Sequence, residues 1–388
     1  MDDDPRTTEL SRSIRDDMDR DTFQGKYDAS IRKKILFIIL MVVVSLVALL
    51  LSVCLGAVDI PFDDLIKVFL HPIFPDWIGE PSRDYYSDFV FRGRMPRAAL
   101  VVLTGMALGV AGMMMQAMLR NPLVSPFTLG VSTASAFGAA LAIILGNTIL
   151  GVEMMNTNFR IFGDVFSVSD IAKVIMSFAL GMLSIILIMK LGRKRNQTRS
   201  TVILAGVVIS YLFQAGIMSA KFLSDDSQLR EITNWIMGSM ANSSWGVILV
   251  VSPFVIICLL LLFKESMDLN ALSAGDDVAA SLGVDVNELK KRGLFLCTLM
   301  TSVCLAFTGV IGFIGLMAPH ICRMIIGNDA RFLMPASGLM GVTILSVSDL
   351  FCRMIIRPEE LPTGIVLYVI GGLFFIWIIS SSKWQARL

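Results

Sequence analysis

Nine apolar stretches dominate the sequence, each near the roughly 20 residues that a helix rising about 1.5 Å per residue needs to cross a hydrocarbon layer about 30 Å thick. They run from Ile35 to Ala57, Ala98 to Leu119, Phe127 to Leu145, Ile171 to Leu191, Thr201 to Ala220, Val247 to Phe263, Leu294 to Met317, Phe332 to Ile356 and Gly364 to Ile379. Of the 388 residues, 55% are hydrophobic and only 17% charged, against about 25% charged in a soluble domain. The chain is therefore expected to be an all-α integral membrane protein, with residues 35–388 forming a single transmembrane domain.

The net charge of +1 excludes nothing by itself, because orientation depends on where cations fall relative to the spans. Arg32, Lys33 and Lys34 precede the first stretch, Arg193, Lys194, Arg195 and Arg199 follow the fourth, and Lys290, Lys291 and Arg292 follow the sixth. All three clusters become cytoplasmic if the N-terminus is cytoplasmic. Residues 1–34 are rich in Asp, Arg and Ser, a composition that buries too little apolar surface to offset ordering entropy, and a disordered cytoplasmic tail is expected. The first stretch is too long for a signal-peptide core and reads as a retained helix.

By the same charge rule, the Pro-rich loop from Val58 to Met95 and the segment Lys221 to Trp245 lie outside, the latter as an interfacial helix or lid. The six cysteines show no C-x-x-C spacing and read as small packing residues, as do the methionines. His71 and His320 are too few and too distant for a metal site. No G-x-x-x-x-G-K-[ST], G-x-S-x-G or H-E-x-x-H pattern occurs, so the chain is expected to be no enzyme, and any energy from ATP must arrive through another polypeptide.

Two places interrupt the apolar pattern: Arg120-Asn121-Pro122-Leu123-Val124-Ser125-Pro126 and Gly315-Leu316-Met317-Ala318-Pro319-His320. Proline lacks a donor and disfavours helical geometry before it, so both are expected to break helices. A tight turn and a short helix that moves during gating fit equally well. Glycines at 105, 109 and 112, and at 309, 312 and 315, give faces that allow close helix approach. The stretch Leu269 to Arg292 is too short and polar to span a bilayer and predicts short cytoplasmic helices ended by Gly275 and Gly283. Asp349 and Arg353 are four apart and can pair on one helix; the other reading makes Asp349 the titrating group of an ion- or proton-coupled transporter. An offset of 197 residues pairs Thr104 with Thr301, Leu108 with Leu305, Gly112 with Gly309, Leu119 with Leu316, Pro122 with Pro319 and Gly130 with Gly327. Such matches fit an inverted repeat of two five-helix halves, and equally chance similarity between apolar helices.

Over residues 90–383 these segments together resemble the FecCD-type permeases of ABC importers for iron-siderophore chelates, haem and cobalamin. The resemblance rests on Arg94-Met95-Pro96-Arg97, Gly105, Gly112, Gln116, the Asn121 to Pro126 block, Leu129-Gly130-Val131-Ser132, Ala279 to Val284, Gly309 to Leu316, Pro319-His320, Arg323, Asp349, Arg353 and Glu360-Leu361-Pro362-Thr363-Gly364. It departs at Ala274-Gly275-Asp276, where the family usually has Leu-Gly-Glu, and at Gly371-Gly372-Leu373-Phe374, where a proline commonly precedes the Phe.

The resemblance implies ten helices in the type II importer arrangement, the tenth a short segment of about Ala318 to Ile326, with both termini cytoplasmic in the cell membrane. It implies cytoplasmic ABC ATPase subunits that bind the ATP, an extracytoplasmic substrate-binding protein, a second permease subunit, identical or not, and surrounding lipid; no nucleic acid and no cofactor or metal of the chain's own is expected. Arg94, Arg97 and Arg353 would then be external cations meeting carboxylates of the binding protein, each pair worth about 0.2 to 1 kcal/mol. Within coupling helices at about 267–290, Ala274, Gly275, Asp276, Asp277, Ala279, Leu282 and Gly283 would dock on the ATPase. Asn121, Pro122, Pro126, Pro319 and His320 would be helix-break or gating positions.

Overall fold

The computed structural model describes residues 5–56, 58, 60–149, 151–155, 157–161, 164–193 and 199–380. Lys194 and Arg195 of the second basic cluster, and the last residues of the chain, lie outside these. In chain order the helices are α1 (Pro5–Cys54), α2 (Phe62–Leu70) and α3 (Tyr85–Asp88), whose end passes through one wide turn (Phe89–Arg94) into α4 (Met95–Leu119). Next come α5 (Val131–Ile149), α6 (Val152–Met155), an antiparallel hairpin of β1 (Asn158–Ile161) and β2 (Asp164–Ser167), α7 (Val168–Arg193), α8 (Arg199–Leu223) and α9 (Asp226–Met237). The chain continues through α10 (Trp245–Lys264), α11 (Ser266–Ala274), α12 (Asp276–Ser281), α13 (Val286–Thr308), α14 (Ile314–Ile326), α15 (Ala330–Met354) and α16 (Thr363–Ser380).

Among the described residues, eight helices are long and apolar enough to cross a membrane. Two shorter apolar helices, Val131–Gly146 and Ile314–Ile326, lie among them. Burial sorts them into two layers. The apolar windows of α4, α13 and α15 are 72%, 67% and 61% buried, whereas those of α1, α7, α8, α10 and α16 lie between 28% and 33%. The first three form the centre, with α4 packed on α15, α13 and α14; the others present apolar faces outward, as helices in lipid must.

The centre is tight because its contacts are backbone on backbone. A Cβ added at Gly105 would sit 2.6 Å from the Val342 Cα, and one at Gly112 would run into the Gly315 carbonyl. Small residues on α4 thus let the main chains of α14 and α15 approach it directly. Buried Cys258, Cys297, Cys304, Cys322 and Cys352 fill the same interior.

Three sequence readings change. The stretch Leu294 to Met317 is two elements: α13 stops at Thr308, residues 309–313 are non-helical with Gly309 and Phe313 at positive φ, and α14 begins at Ile314, not Ala318. Pro319 and His320 therefore lie inside a helix; the break precedes them. A proline five residues beyond a helix start removes one hydrogen bond without ending the helix if the orphaned carbonyl finds another donor. Finally, α1 is helical from Pro5, so most of the segment expected to lack structure continues the first span as helix. A helix that extends a bilayer-anchored span needs no new nucleus, whereas an isolated one does.

At the 197-residue offset, α4 corresponds to α13, but Gly112 lies inside α4 whereas Gly309 ends α13, and Pro122 lies in a turn whereas Pro319 is helical. The β-hairpin was not foreseen. By contrast α9 occupies the expected outer segment, started by Asp225 accepting from the Gln228 amide at 2.8 Å while Gln228 returns a bond to the Asp225 N–H.

Gly112→Val is expected to destabilise the detergent-solubilised protein by about 1–3 kcal/mol or more, seen as a lowered unfolding midpoint. Gly372→Ala, at a position with nothing within 4 Å, should leave the midpoint in place.

Candidate functional site

The outer end, named after the charge distribution, is built around one buried carboxylate. Asp349 on α15 is fully buried and faces Arg97 of α4, whose Nε approaches its two oxygens at 3.1 and 3.2 Å and whose Nη2 donates at 2.9 Å. Arg353, one turn on, pairs with Asp349 at 3.2 Å, and the Thr363 hydroxyl donates to it at 3.3 Å. The remaining Nη1 of Arg97 donates to Glu360 at 2.7 Å. Two arginines from two helices thus share one carboxylate, and the forked guanidinium of Arg97 makes the pairing bidentate.

Arg353, together with Arg94, also caps α1. Its last carbonyls have no intrahelical donor, and Arg353 donates to the Ser52 carbonyl at 2.9 Å and the Leu55 carbonyl at 3.2 Å. Arg94 donates to the carbonyls of Val53 and Cys54, both at 2.7 Å, and also to that of Val58. Positive charge at a helix C-terminus opposes its dipole. Arg94, Arg97 and Arg353 are only 4%, 9% and 3% exposed. This corrects the expectation of external rim cations: all three are spent inside the chain on carbonyls and carboxylates that could not otherwise be buried.

One turn before the inner end of α4, Pro319 leaves the Gly315 carbonyl without its helical donor, and buried Gln116 of α4 supplies one at 3.2 Å. The Gln116 oxygen accepts from Arg323 at 2.9 Å. One amide therefore satisfies a proline-orphaned carbonyl and holds a cation on the following turn.

At the inner end, α4 stops where expected. Arg120 takes a left-handed conformation, the Asn121 side chain accepts from the Leu123 amide at 2.9 Å, and the turn carries Pro122 and Pro126 on to α5. The Arg120 guanidinium reaches the Leu272 carbonyl and lies 3.2 Å from Asp276, which also pairs with Lys290 at 2.7 Å. These contacts seat the hairpin of α11 and α12. Its bends are Gly275 and Gly283, at φ of 143° and 86°, values that L side chains rarely adopt. Ala279 is fully buried beneath α12, whereas Val278 and Leu282 are 44% and 68% exposed. Ala274 and Asp277 are also on the exposed side.

Sequence reading missed the latch behind this hairpin. Asp329 caps α15 and accepts from Arg331 at 2.8 Å, from Asn270 of α11 at 3.0 Å and from Lys34 of α1 at 3.3 Å; Asn270 in turn accepts from the Ala330 amide at 2.8 Å. The Arg331 hydrogen bond, above all, holds the Asp329 carboxyl well below the ordinary carboxylate range. A depressed carboxylate stabilises above the unfolded-state pKa and loses that contribution as pH falls, so the latch is complete at neutral pH. The Asn-Asp-Ala-Arg run at 328–331 had the form of a helix cap, but nothing in it named Asn270 or Lys34 as partners.

A profile of the FecCD transport family matches residues 42–381, which include every residue named at both ends above except Lys34. The chain belongs to the FecCD transport family. It is 34% identical over 355 residues to an ABC transporter permease protein of Methanocaldococcus jannaschii, covering 91% of this chain and 97% of the relative. It is 34% identical to the hemin transport system permease of Yersinia pestis, over 75% of this chain and 83% of the relative. It is 30% identical to the Fe(3+)-citrate import system permease YfmE of Bacillus subtilis, over 92% and 97%. A solved metal-chelate type ABC transporter in an inward-facing conformation superposes with a TM-score of 0.71 at 25% identity, over 90% of this chain and 100% of that one. The described structure thus joins Arg120, just before the Asn121 to Pro126 block, with the α11–α12 hairpin at one end and Arg97 with Asp349 at the other.

Asp349→Asn is expected to cost about 3–5 kcal/mol, because two buried guanidiniums lose their counter-charge, read as a sharply lowered unfolding midpoint. Arg92→Ala, at an 82% exposed side chain, should change stability by no more than about 0.5 kcal/mol. Asn270→Ala should raise amide hydrogen exchange across residues 266–281 while leaving the spans unchanged.

Proposed function

We propose that this FecCD-family chain is the membrane-spanning subunit of an ATP-driven importer, and that it passes an iron chelate, haem or a corrinoid inward from an extracytoplasmic binding protein. The observation that carries this reading is the α11–α12 hairpin. It is held rigidly by Arg120, Asp276, Lys290 and Asn270, yet exposes Val278 and Leu282 at its tip. A stiff element with an apolar tip suits a partner that delivers force. The absence of a nucleotide-binding motif in the sequence supports placing ATP binding and hydrolysis in separate subunits, with no catalysis or cofactor in this chain. The relatives' named cargoes, hemin and Fe(3+)-citrate, support the substrate class. The positive-inside distribution supports cytoplasmic termini and puts the hairpin on the ATPase side. A second permease subunit, identical or related, completes the assembly.

The alternative, a proton-coupled carrier using Asp349, is disfavoured by geometry. That carboxylate is fully buried and held by ion pairs with Arg97 and Arg353 and a hydrogen bond from Thr363, and the neighbouring acid, Glu360, is itself paired with Arg97.

Reconstituted with its ATPase and binding protein, the complex is expected to accumulate chelate only with a hydrolysis-competent ATPase. Uptake that survives a hydrolysis-dead ATPase and follows a proton gradient would overturn the reading. Leu282→Asp is expected to lower ATPase association and uptake at least tenfold while leaving the permease's own unfolding midpoint in place.

A further inference from the structure

The outer segment between α1 and α4 has an apolar surface that the transport reading does not use. On α2, Asp64, Leu65 and Val68 are buried. Leu65 and Val68 pack on Tyr86 and Val90, and the Ser82 amide and hydroxyl donate to Asp64 at 3.0 and 2.8 Å, which fixes the rotation of the helix on the body. At 100° per residue, the rest of the helix divides cleanly. Phe62, Ile66 and Leu70 form one arc with half-buried Phe69, while Asp63 and Lys67 form the next. Phe62 is 69% exposed, and the ordered turn that follows adds Ile73 at 65%, Phe74 at 52% and Trp77 at 86%.

A helix with one side on protein, a second apolar and a third charged fits a boundary where lipid, water and protein meet. Two further observations select lipid. The outward apolar side chains of α1, among them Leu46, Leu50, Leu51 and Leu55, face outward along the span, and beyond its end Val58 and Phe62 are exposed as well, with Asp59 between them in the sequence. The exposed series then ends in Trp77, the residue type enriched at membrane–water interfaces.

We propose that α2 and the turn through Trp77 lie in the outer interface of the bilayer, with Phe62, Ile66, Ile73, Phe74 and Trp77 in the lipid and Asp63 and Lys67 toward water. The segment then acts as a float that sets the depth of the α1 end, where Arg94 and Arg353 are bound.

The test uses the full chain in phospholipid vesicles. Nitroxide labels at Ile66→Cys, Ile73→Cys and Lys67→Cys are compared for collision with oxygen, which concentrates in lipid, and with a water-soluble nickel chelate; native protein carried through labelling provides the background. Labels at 66 and 73 are expected to favour oxygen several-fold over the label at 67. Nickel access at 66 and 73 equal to that at 67 would overturn the proposal in favour of a water-exposed face. Exclusion of both reagents there would overturn it in favour of a protein partner. As a readout without labels, emission quenching by lipids brominated near the headgroup should fall in Trp77→Phe, and unchanged quenching would count against the proposal.

Discussion

Inside a bilayer, a carbonyl that leaves its helix has no water to turn to, and much of this structure follows from how such carbonyls are met. The end of α1 is met by Arg94 and Arg353, and the Gly315 carbonyl freed by Pro319 is met by Gln116. Each donor comes from a different helix. Satisfying a backbone group therefore also fastens two elements together, and the long polar side chains of this otherwise apolar chain work as fasteners. Asp349 completes the scheme, because arginines recruited to carbonyls in a buried setting still need a counter-charge.

The two ends share their supports. Helix α4 carries Arg97 near one end and Arg120 at the other, and α15 carries Asp349 near one end and the Asp329 cap at the other. Both helices are central and touch through glycine-lined backbone. A displacement at the hairpin is therefore transmitted along two stiff rods to the cluster that holds α1, without crossing a flexible layer of side chains.

The spans were legible in the sequence because bilayer thickness imposes a length that hydropathy reports directly, and the hairpin was legible because Gly275 and Gly283 mark its bends. The break at 309–313 was not, since Gly-Val-Ile-Gly-Phe is as apolar as a helix and its non-helical form depends on neighbours distant in sequence. Pro319 misled for the converse reason: its effect was cancelled by Gln116, about two hundred residues earlier. The arginines were found as a motif but placed wrongly, because a charge beside a span end reads as surface until the carbonyls it must satisfy are known. The tail was judged on composition alone, which ignores the nucleus that the adjoining span supplies.

The glycine seam between α4 and its neighbours carries a mechanical consequence. Side-chain contacts yield gradually, by rotamer changes that let surfaces creep past one another. Where Gly105 meets Val342 and Gly112 meets Gly315, main chain touches main chain and there are no rotamers to change. Such a joint behaves as a dry bearing with few resting positions: it stays locked, or it parts as a unit. Rearrangement of the core should therefore resemble the click of a latch more than the bending of a spring.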